Sequence, residues 1–138
     1  MHKSRLGALV IDCGADDLER DAAFWGRALG HAVRGSGKPE DRNYRKLEAP
    51  ESEPQMLVQK VDHPSRVHLD IETDNIDAEV ARLEDLGAKR VEKVRDWWVM
   101  EAPSGHRFCV VPPQRADFQE RANRWGRREP GKHDLDLE

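Results

Sequence analysis

The chain has 138 residues, 37% of them hydrophobic and 36% charged, which is enough for one compact domain with a single core. Its formal net charge of -4 argues against nucleic acid or an anionic membrane surface as the main partner. No apolar run approaches the roughly 20 residues of a membrane span, and no signal-peptide pattern is present. With two cysteines in all, we expect a cytoplasmic protein without disulfides.

The chain begins with a strand and a helix. The run 5-RLGALVIDC-13 is strand-like, and 16-DDLERDAAFWGRALG-30 carries apolar residues at helical spacing. Asp16 or Asp17 is expected to cap this helix at its start, and Gly30 is expected to end it.

A second strand and helix repeat this pattern. They are 66-RVHLDIE-72 and 74-DNIDAEVARLEDLGA-88, with Asp74 expected as the helix cap. The apolar stripes of the two helices lie a constant 58 positions apart, as from Leu18 to Ile76. An internal repeat of this kind indicates a duplicated structural unit.

Three short strand candidates, bounded by turn residues, follow each helix. They are 31–35, 43–48 and 55–61 after the first helix, and 88–94, 96–101 and 107–112 after the second. The sequence therefore predicts an α+β fold with a domain over 1–113. Two paired βαβββ modules, about 5–61 and 66–112, form a curved mixed sheet around a cleft with the helices outside.

The last segment, 114–138, differs in character from the rest of the chain. Phe118, Ala122 and Trp125 are spaced as one face of a short helix that could dock on the domain. Beyond Gly126 the residues are highly charged with balanced signs, which predicts a solvated tail.

The doubled module, with "FW...LG" in the first helix and "HLDI...D" opening the second half, resembles the vicinal oxygen chelate superfamily. The closing "APSGHRFCVVPP" fits the last hairpin of that superfamily. The resemblance covers about 5–113 and is strongest to the glyoxalase-like branch, which includes bleomycin-resistance proteins and extradiol dioxygenases. It implies a ligand cleft between the modules and, in the enzymes, one divalent metal bound by the first and last strand of each half.

The four positions that this resemblance assigns to metal ligands are Val10, Gln59, His68 and Cys109. Valine cannot bind a metal, glutamine is a poor ligand, and a hard cation prefers carboxylate to thiolate. We therefore expect no metal cofactor, although Asp70 or Glu72, on the same strand face as His68, could complete an unusual shell for a divalent metal. A cysteine at position 109 is typical of a small buried hydrophobe rather than of a nucleophile.

Without a metal, the polar residues of the cleft become candidate ligand-binding groups. Strand alternation sends one of Trp97 and Trp98 to each face, and either could give an aromatic platform. Tyr44 and Arg45 on another strand could also project inward, where arginine suits an anionic group. The predicted ligand pocket comprises His68, Asp70, Gln59, Cys109, Trp98, Tyr44 and Arg45.

Three functions remain open from the sequence. The first is a metal-free protein that binds a small organic molecule, possibly aromatic, as the bleomycin-resistance proteins imply. The second is a divalent-metal-dependent lyase, isomerase or dioxygenase that uses His68. The third is a regulatory module whose cleft is vestigial. Analogy with this fold also predicts a homodimer.

Overall fold

The computed structural model describes residues 1–126, so the predicted solvated tail lies outside the described part of the chain. It has nine strands and three α-helices over these residues. In chain order they are β1 His2–Cys13, α1 Leu18–Leu29, β2 Val33–Arg34, β3 Tyr44–Leu47, β4 Gln55–Lys60, β5 Arg66–Thr73, α2 Ile76–Asp85, β6 Lys89–Val94, β7 Trp97–Glu101, β8 Arg107–Val111, α3 Phe118–Arg121 and β9 Asn123–Trp125. A short 3-10 helix, Pro39–Asp41, precedes β3.

One mixed sheet joins the two modules, in the strand order β2-β3-β4-β1-β5-β8-β7-β6. The first strand of each module runs parallel to the last strand of the same module, β1 with β4 and β5 with β8. The two modules meet where β1 and β5 pair antiparallel. The sheet therefore has the duplicated architecture that the 58-residue repeat predicts.

Each helix covers its own half of one sheet face. Leu18 and Ala22 of α1 pack with Leu47 and Val58 in one buried cluster. Val80 and Leu83 of α2 form the centre of a second cluster with Met100, Phe108 and Val110. Two separate cores on the helix side leave the opposite face of the sheet free to line the cleft.

The helix ends agree with the sequence except at one cap. Asp17 caps α1 through its side chain, and Gly30 ends it in the left-handed conformation that glycine favours. At α2 the cap is Asn75, whose side chain accepts from Ala78 N at 3.0 Å, and not the expected Asp74. Asp74 instead accepts from the backbone of Lys3 in β1.

The segment after the second module folds back on β1 in a way that the helical spacing predicts only in part. The helix α3 spans four residues, and after Ala122 the residues Asn123–Trp125 form β9, which pairs antiparallel with the start of β1. Phe118 and Ala122 are buried as expected. Trp125 lies on β9 rather than on a helix, and its indole donates to Ser4 Oγ at 2.8 Å.

Candidate functional site

His68 lies at the centre of the cleft face of the sheet. In the antiparallel pairing of β1 with β5 its partner is Val10, as the 58-residue offset predicts. In the parallel pairing of β5 with β8, Asp70 is the partner of Cys109. Because alternate residues of a strand share a face, these pairings bring groups from three adjacent strands to one place.

The His68 ring is held between two carboxylates. Its Nδ1 lies 2.7 Å from Oδ2 of Asp12, and its Nε2 lies 3.3 Å from Oδ1 of Asp70. Asp12 is almost fully buried, with 3% of its side chain exposed, and it comes from β1 of the first module. The ring is therefore oriented by residues from both modules.

Burial and the neighbouring acids act in opposite directions on His68. Burial by itself lowers the pKa of the imidazole, because it removes the charged form from water. The hydrogen bond to Asp12 and the nearness of Asp70 and Cys109 outweigh this effect and raise the pKa to about 11. His68 is accordingly a cation at neutral pH.

Two carboxylate oxygens at this point have no hydrogen-bond partner among the described residues. They are Oδ1 of Asp12 and Oδ1 of Asp70, and both atoms are buried; the 3.3 Å approach of His68 Nε2 to Oδ1 of Asp70 is an ion-pair contact and is not aligned as a hydrogen bond. Buried polar atoms of folded proteins are nearly always paired with protein or ordered water. These two oxygens therefore mark a place where a water molecule or a polar ligand atom completes the site.

The cleft above this cluster has a volume of about 830 Å³, within the usual range for small-molecule sites. Aromatic and apolar walls surround its charged floor, with Arg and Lys side chains from both modules among the lining groups. The residues that line the cleft around its charged floor include Val10, Asp12, Tyr44, Leu57, Gln59, His63, Arg66, His68, Asp70, Trp97, Val99, Phe108 and Cys109.

Tyr44 adds a phenol to the first-module wall of the cleft. Burial raises the pKa of this phenol, and the charge of Asp70 raises it further. The hydroxyl consequently stays protonated over the whole physiological range and is able to donate a hydrogen bond to a ligand.

The structure brings together five of the seven predicted pocket residues. His68, Asp70, Gln59, Cys109 and Tyr44 all line the cleft.

The other two, Trp98 and Arg45, lie on the opposite face, which corrects those two predictions. Trp98 packs against the core cluster beneath α2, and Arg45 Nε donates to Glu19 of α1 at 2.6 Å.

Sequence reasoning did not select two important residues of the site. Trp97, the neighbour of Trp98, lines the cleft, because alternation along β7 fixes only that the two rings point to opposite faces. Asp12 is the second, because its contact with His68 depends on how closely β1 and β5 pair. His63, between β4 and β5, also lines the cleft.

The donor groups do not reproduce the four-ligand metal shell that the resemblance implies. Val10 offers no ligand atom on β1, and Gln59 offers a neutral amide. His68, Asp70 and Cys109 each place one ligand atom within 4.8 Å of the others, all on the second module. The residues present therefore do not fit the full four-ligand metal shell. His68, Asp70 and Cys109 are the donors that remain for a metal. The expected lack of a metal cofactor stays a prediction.

None of the helices within residues 1–126 is both long enough and apolar enough to span a membrane.

Comparison with known proteins relates the sequence to one family and the fold to several enzymes. A family model for the glyoxalase-like domain matches residues 8–111. No curated protein sequence gives a significant match. A crystal structure of a methylmalonyl-CoA epimerase aligns with a TM-score of 0.55 and 11% identity, covering 80% of this chain and 95% of that one.

Two further crystal structures share the fold at similar distance. The methylmalonyl-CoA epimerase from Mycobacterium tuberculosis has a TM-score of 0.53 and 16% identity, with 79% of this chain and 87% of that one covered. A protein named NAD-dependent benzaldehyde dehydrogenase from Legionella pneumophila has a TM-score of 0.55 and 9% identity, with 78% and 98% covered. Identities this low establish a common fold and leave the activity to the residues of the site.

Proposed function

Because the chain belongs to the glyoxalase-like domain family of the vicinal oxygen chelate superfamily, we propose that its cleft binds a small organic molecule without a metal. The observation that carries this proposal is the combination of an open cleft of about 830 Å³ with a buried, incompletely bonded charge cluster at its floor. Apolar walls with a few convergent polar groups are typical of ligand sites.

The lining indicates what kind of molecule suits the cleft. Trp97 supplies an indole face, and Tyr44 supplies a phenol that donates a hydrogen bond. The guanidinium of Arg66 favours an oxygen atom on the ligand, and the unpaired carboxylate oxygens of Asp12 and Asp70 beside His68 favour a hydroxyl that can donate to them. We therefore propose a planar, commonly aromatic ligand with at least one polar oxygen, bound with that oxygen toward His68.

A thermal-shift screen on protein treated with EDTA tests binding without metal. Suitable compounds are aromatic natural products, aromatic carboxylates, small diols and, given the epimerase neighbours, short acyl-CoA thioesters. A ligand present at about 100 times its Kd stabilises the folded protein by about 2.7 kcal/mol, which is a clear shift of the melting temperature.

Variants in and away from the cleft make this screen specific. His68→Gln removes the imidazolium and should abolish the shift. Arg45→Ala, on the other face of the sheet, is the matched control and should retain it. A cleft that gives no shift with any class of compound, or the same shift in His68→Gln, argues for the vestigial-cleft alternative.

A second candidate function is the metal-dependent one, a lyase, isomerase or dioxygenase acting through His68. It is supported by the closeness of ligand atoms from His68, Asp70 and Cys109, within 4.8 Å of one another. Elemental analysis of untagged protein separates the two candidates. One equivalent of a divalent metal in the wild type, lost in His68→Ala, would favour the enzyme.

Two further properties remain proposals. A homodimer is proposed from the fold and from an exposed apolar strip that consists of Leu6, Val67 and Leu69. A cytoplasmic location is proposed from the two cysteines, neither of which forms a disulfide.

A further inference from the structure

The lysine and arginine side chains that line the cleft differ in whether a carboxylate neutralises them. Within residues 1–126 they are Arg34, Lys46, Arg66 and Arg107. Each arginine has a carboxylate oxygen no more than 4.0 Å away: Glu48 beside Arg34, Asp12 beside Arg66 and Glu101 beside Arg107. Lys46 forms neither an ion pair nor a side-chain hydrogen bond with any residue of this range. Its ammonium group is therefore available to a ligand.

Lys46 also lies directly opposite a second cation. Arg34 of β2 is its partner in the antiparallel pairing of β2 with β3, and both side chains line the cleft. Like charges that face each other across a strand pair are destabilising. Because Glu48 pairs with Arg34 and not with Lys46, the arrangement does not stabilise the fold at Lys46. An anion bound at Lys46 would remove the repulsion.

The pairing of the strands places Lys46 in one row with the cleft floor. Lys46 of β3 pairs with Leu57 of β4. Leu57 pairs in turn with Val10, which is the partner of His68. Three steps between strands put Lys46 and His68 roughly 14 Å apart along the sheet. The four-carbon stem of the lysine crosses part of this distance, which leaves a gap suited to one aromatic ring with a polar group at each end.

We propose that Lys46, with Arg34 beside it, binds the carboxylate of an aromatic hydroxy acid whose two polar groups lie at opposite ends of the molecule. The hydroxyl lies at the floor, where Oδ1 of Asp12 and Oδ1 of Asp70 have no hydrogen-bond partner among the described residues. The ring lies against Trp97. This proposal rests on the proposed function, because the cleft must first bind an organic molecule, and it names the class of that molecule.

Matched acids and amides separate the carboxylate from the rest of the ligand. The probes are 4-hydroxybenzoate with 4-hydroxybenzamide and 4-hydroxycinnamate with 4-hydroxycinnamamide, titrated into the full-length protein in EDTA and followed by NMR. We expect at least one of the acids to bind about fivefold or more tightly than its amide, because a charged partner strengthens a hydrogen bond. The preference should shrink as salt is added, because salt screens an exposed ion pair.

Variants at Lys46 assign this preference to its charge. Lys46→Gln should abolish the preference and leave binding of the amide within about twofold, whereas Lys46→Arg, which keeps the charge, should retain it. Lys60→Gln is the matched control, since Lys60 is an exposed lysine of the neighbouring strand β4 that follows Gln59 and points to the other face. Without ligand, the melting temperature of Lys46→Gln should not fall, because the substitution relieves the repulsion with Arg34.

Equal binding of acid and amide by the wild type would overturn the proposal. So would a folded Lys46→Gln protein that keeps the preference, since Lys46 would then serve only to protect the edge of the sheet. Binding of other compounds of the thermal-shift screen, without either member of any pair, overturns the ligand class as well. These three outcomes leave the binding function standing. Absence of binding by every compound of the screen refutes the binding function itself.

Discussion

At the residue scale, the defining feature of the site is a histidine fixed between two acids. Nδ1 of His68 is 2.7 Å from Asp12 and Nε2 is 3.3 Å from Asp70. Two neighbouring carboxylates make the imidazolium the stable form, even though the ring is largely buried. The position that carries a metal ligand in the superfamily enzymes thus holds a cation of its own in this chain.

We expect NMR of the histidine rings to show His68 still protonated at about pH 8, where an ordinary histidine with a pKa of about 6.5 is neutral. The raised pKa, about 11, means that the folded state binds this proton more tightly than the unfolded state. The resulting stability is fully present below the unfolded pKa and is lost as the pH rises toward 11. In Asp12→Asn the pKa of His68 should fall, and titration of wild-type His68 together with the other histidines would contradict the structure.

The two adjacent tryptophans should respond differently to truncation. Trp98 packs on the α2 core and carries the guanidinium of Arg90 over its ring at 5.1 Å. Trp98→Ala should therefore cost roughly 3 kcal/mol of unfolding free energy. Trp97→Ala should cost less than about 1 kcal/mol but weaken binding of an aromatic ligand. Urea denaturation and ligand titration measure the two effects, and equal destabilisation by both variants would contradict the assignment of faces.

The site could be predicted from the sequence as far as strand parity and the internal repeat extend. The repeat matched Val10 to His68, strand parity placed Asp70 on the same face as His68, and the family resemblance added Gln59 and Cys109. They could not choose between Trp97 and Trp98, because alternation is symmetric until the contacts of one face are known. They also could not give the Asp12–His68 contact, which depends on the packing of two strands 56 positions apart in the sequence.

At the element scale, α2 is tied to β1 and β9 by a buried charged group that its apolar stripe does not reveal. Glu79 is fully buried on α2, 2.7 Å from His2 Nε2 and paired through both carboxylate oxygens with Arg82. The guanidinium of Arg82 in turn lies over the ring of Trp125 at 3.9 Å. The buried carboxylate of Glu79 is thus paired with His2 of β1 and with Arg82 of its own helix, and Arg82 in turn stacks on Trp125 of β9.

The buried carboxylate of Glu79 should make the stability of the fold depend on pH in the acid range. Burial alone would raise the pKa of Glu79, but hydrogen bonds from Arg82 and His2 outweigh it and lower the pKa. The stabilisation is therefore present above the ordinary pKa of a glutamate and is lost as the pH falls through the lowered value. The substitution Glu79→Gln should lower the free energy of unfolding by about 3–5 kcal/mol at neutral pH. It should also remove part of the loss of stability at acid pH.

Chemical denaturation at several pH values measures this effect. Glu84→Gln is the matched control, since Glu84 lies on the same helix with its side chain exposed and paired with Arg90. A difference between the two variants that does not shrink toward acid pH would contradict the role given to Glu79.

The elements of both modules were predictable because each has a clear period and clear boundaries. The strands and helices lie where the repeat places them, to within a few residues at each end. The cap of α2 differs from the predicted one because Asp74 and Asn75 are both good capping residues. The side chain of Asp74 accepts a hydrogen bond from the backbone N–H of Lys3, which leaves Asn75 as the cap. Strand β9 differs because its pairing with β1 is a contact across more than 100 positions, which local helical spacing does not contain.

At the scale of the whole molecule, the sheet presents one exposed apolar strip on the face opposite the cleft. Leu6, Val67 and Leu69 are 38%, 56% and 43% exposed, respectively. Leu69 pairs with Leu9, one residue along from the pair of His68 with Val10. Because successive residues of a strand point to opposite faces, these side chains lie on the face opposite His68. Exposed apolar residues that lie together often mark an interface between proteins.

We expect this strip to be buried between two copies of the chain. Light scattering after gel filtration should give the mass of a dimer for the wild type and of a monomer for Leu69→Glu. Leu86→Glu is the control, because Leu86 is equally exposed at the end of α2, away from the strip, and should leave the dimer intact. A wild-type monomer at high concentration would contradict the prediction.

The duplicated architecture itself was readable from the sequence, since a repeat states twice how strand and helix follow one another. The function could not be predicted in the same way, because one fold supports different chemistries through a few residues of its cleft. Here those residues are the Asp12–His68–Asp70 cluster, Cys109 and the aromatic walls.

Native mass spectrometry of the untagged protein, with the best compound of the thermal-shift screen, tests most directly whether the cleft binds an organic molecule rather than a metal. We expect the mass of the chain without a metal ion, and a complex with one compound per chain that disappears in His68→Gln. One divalent metal ion per chain in the wild type, absent from His68→Ala, would contradict it.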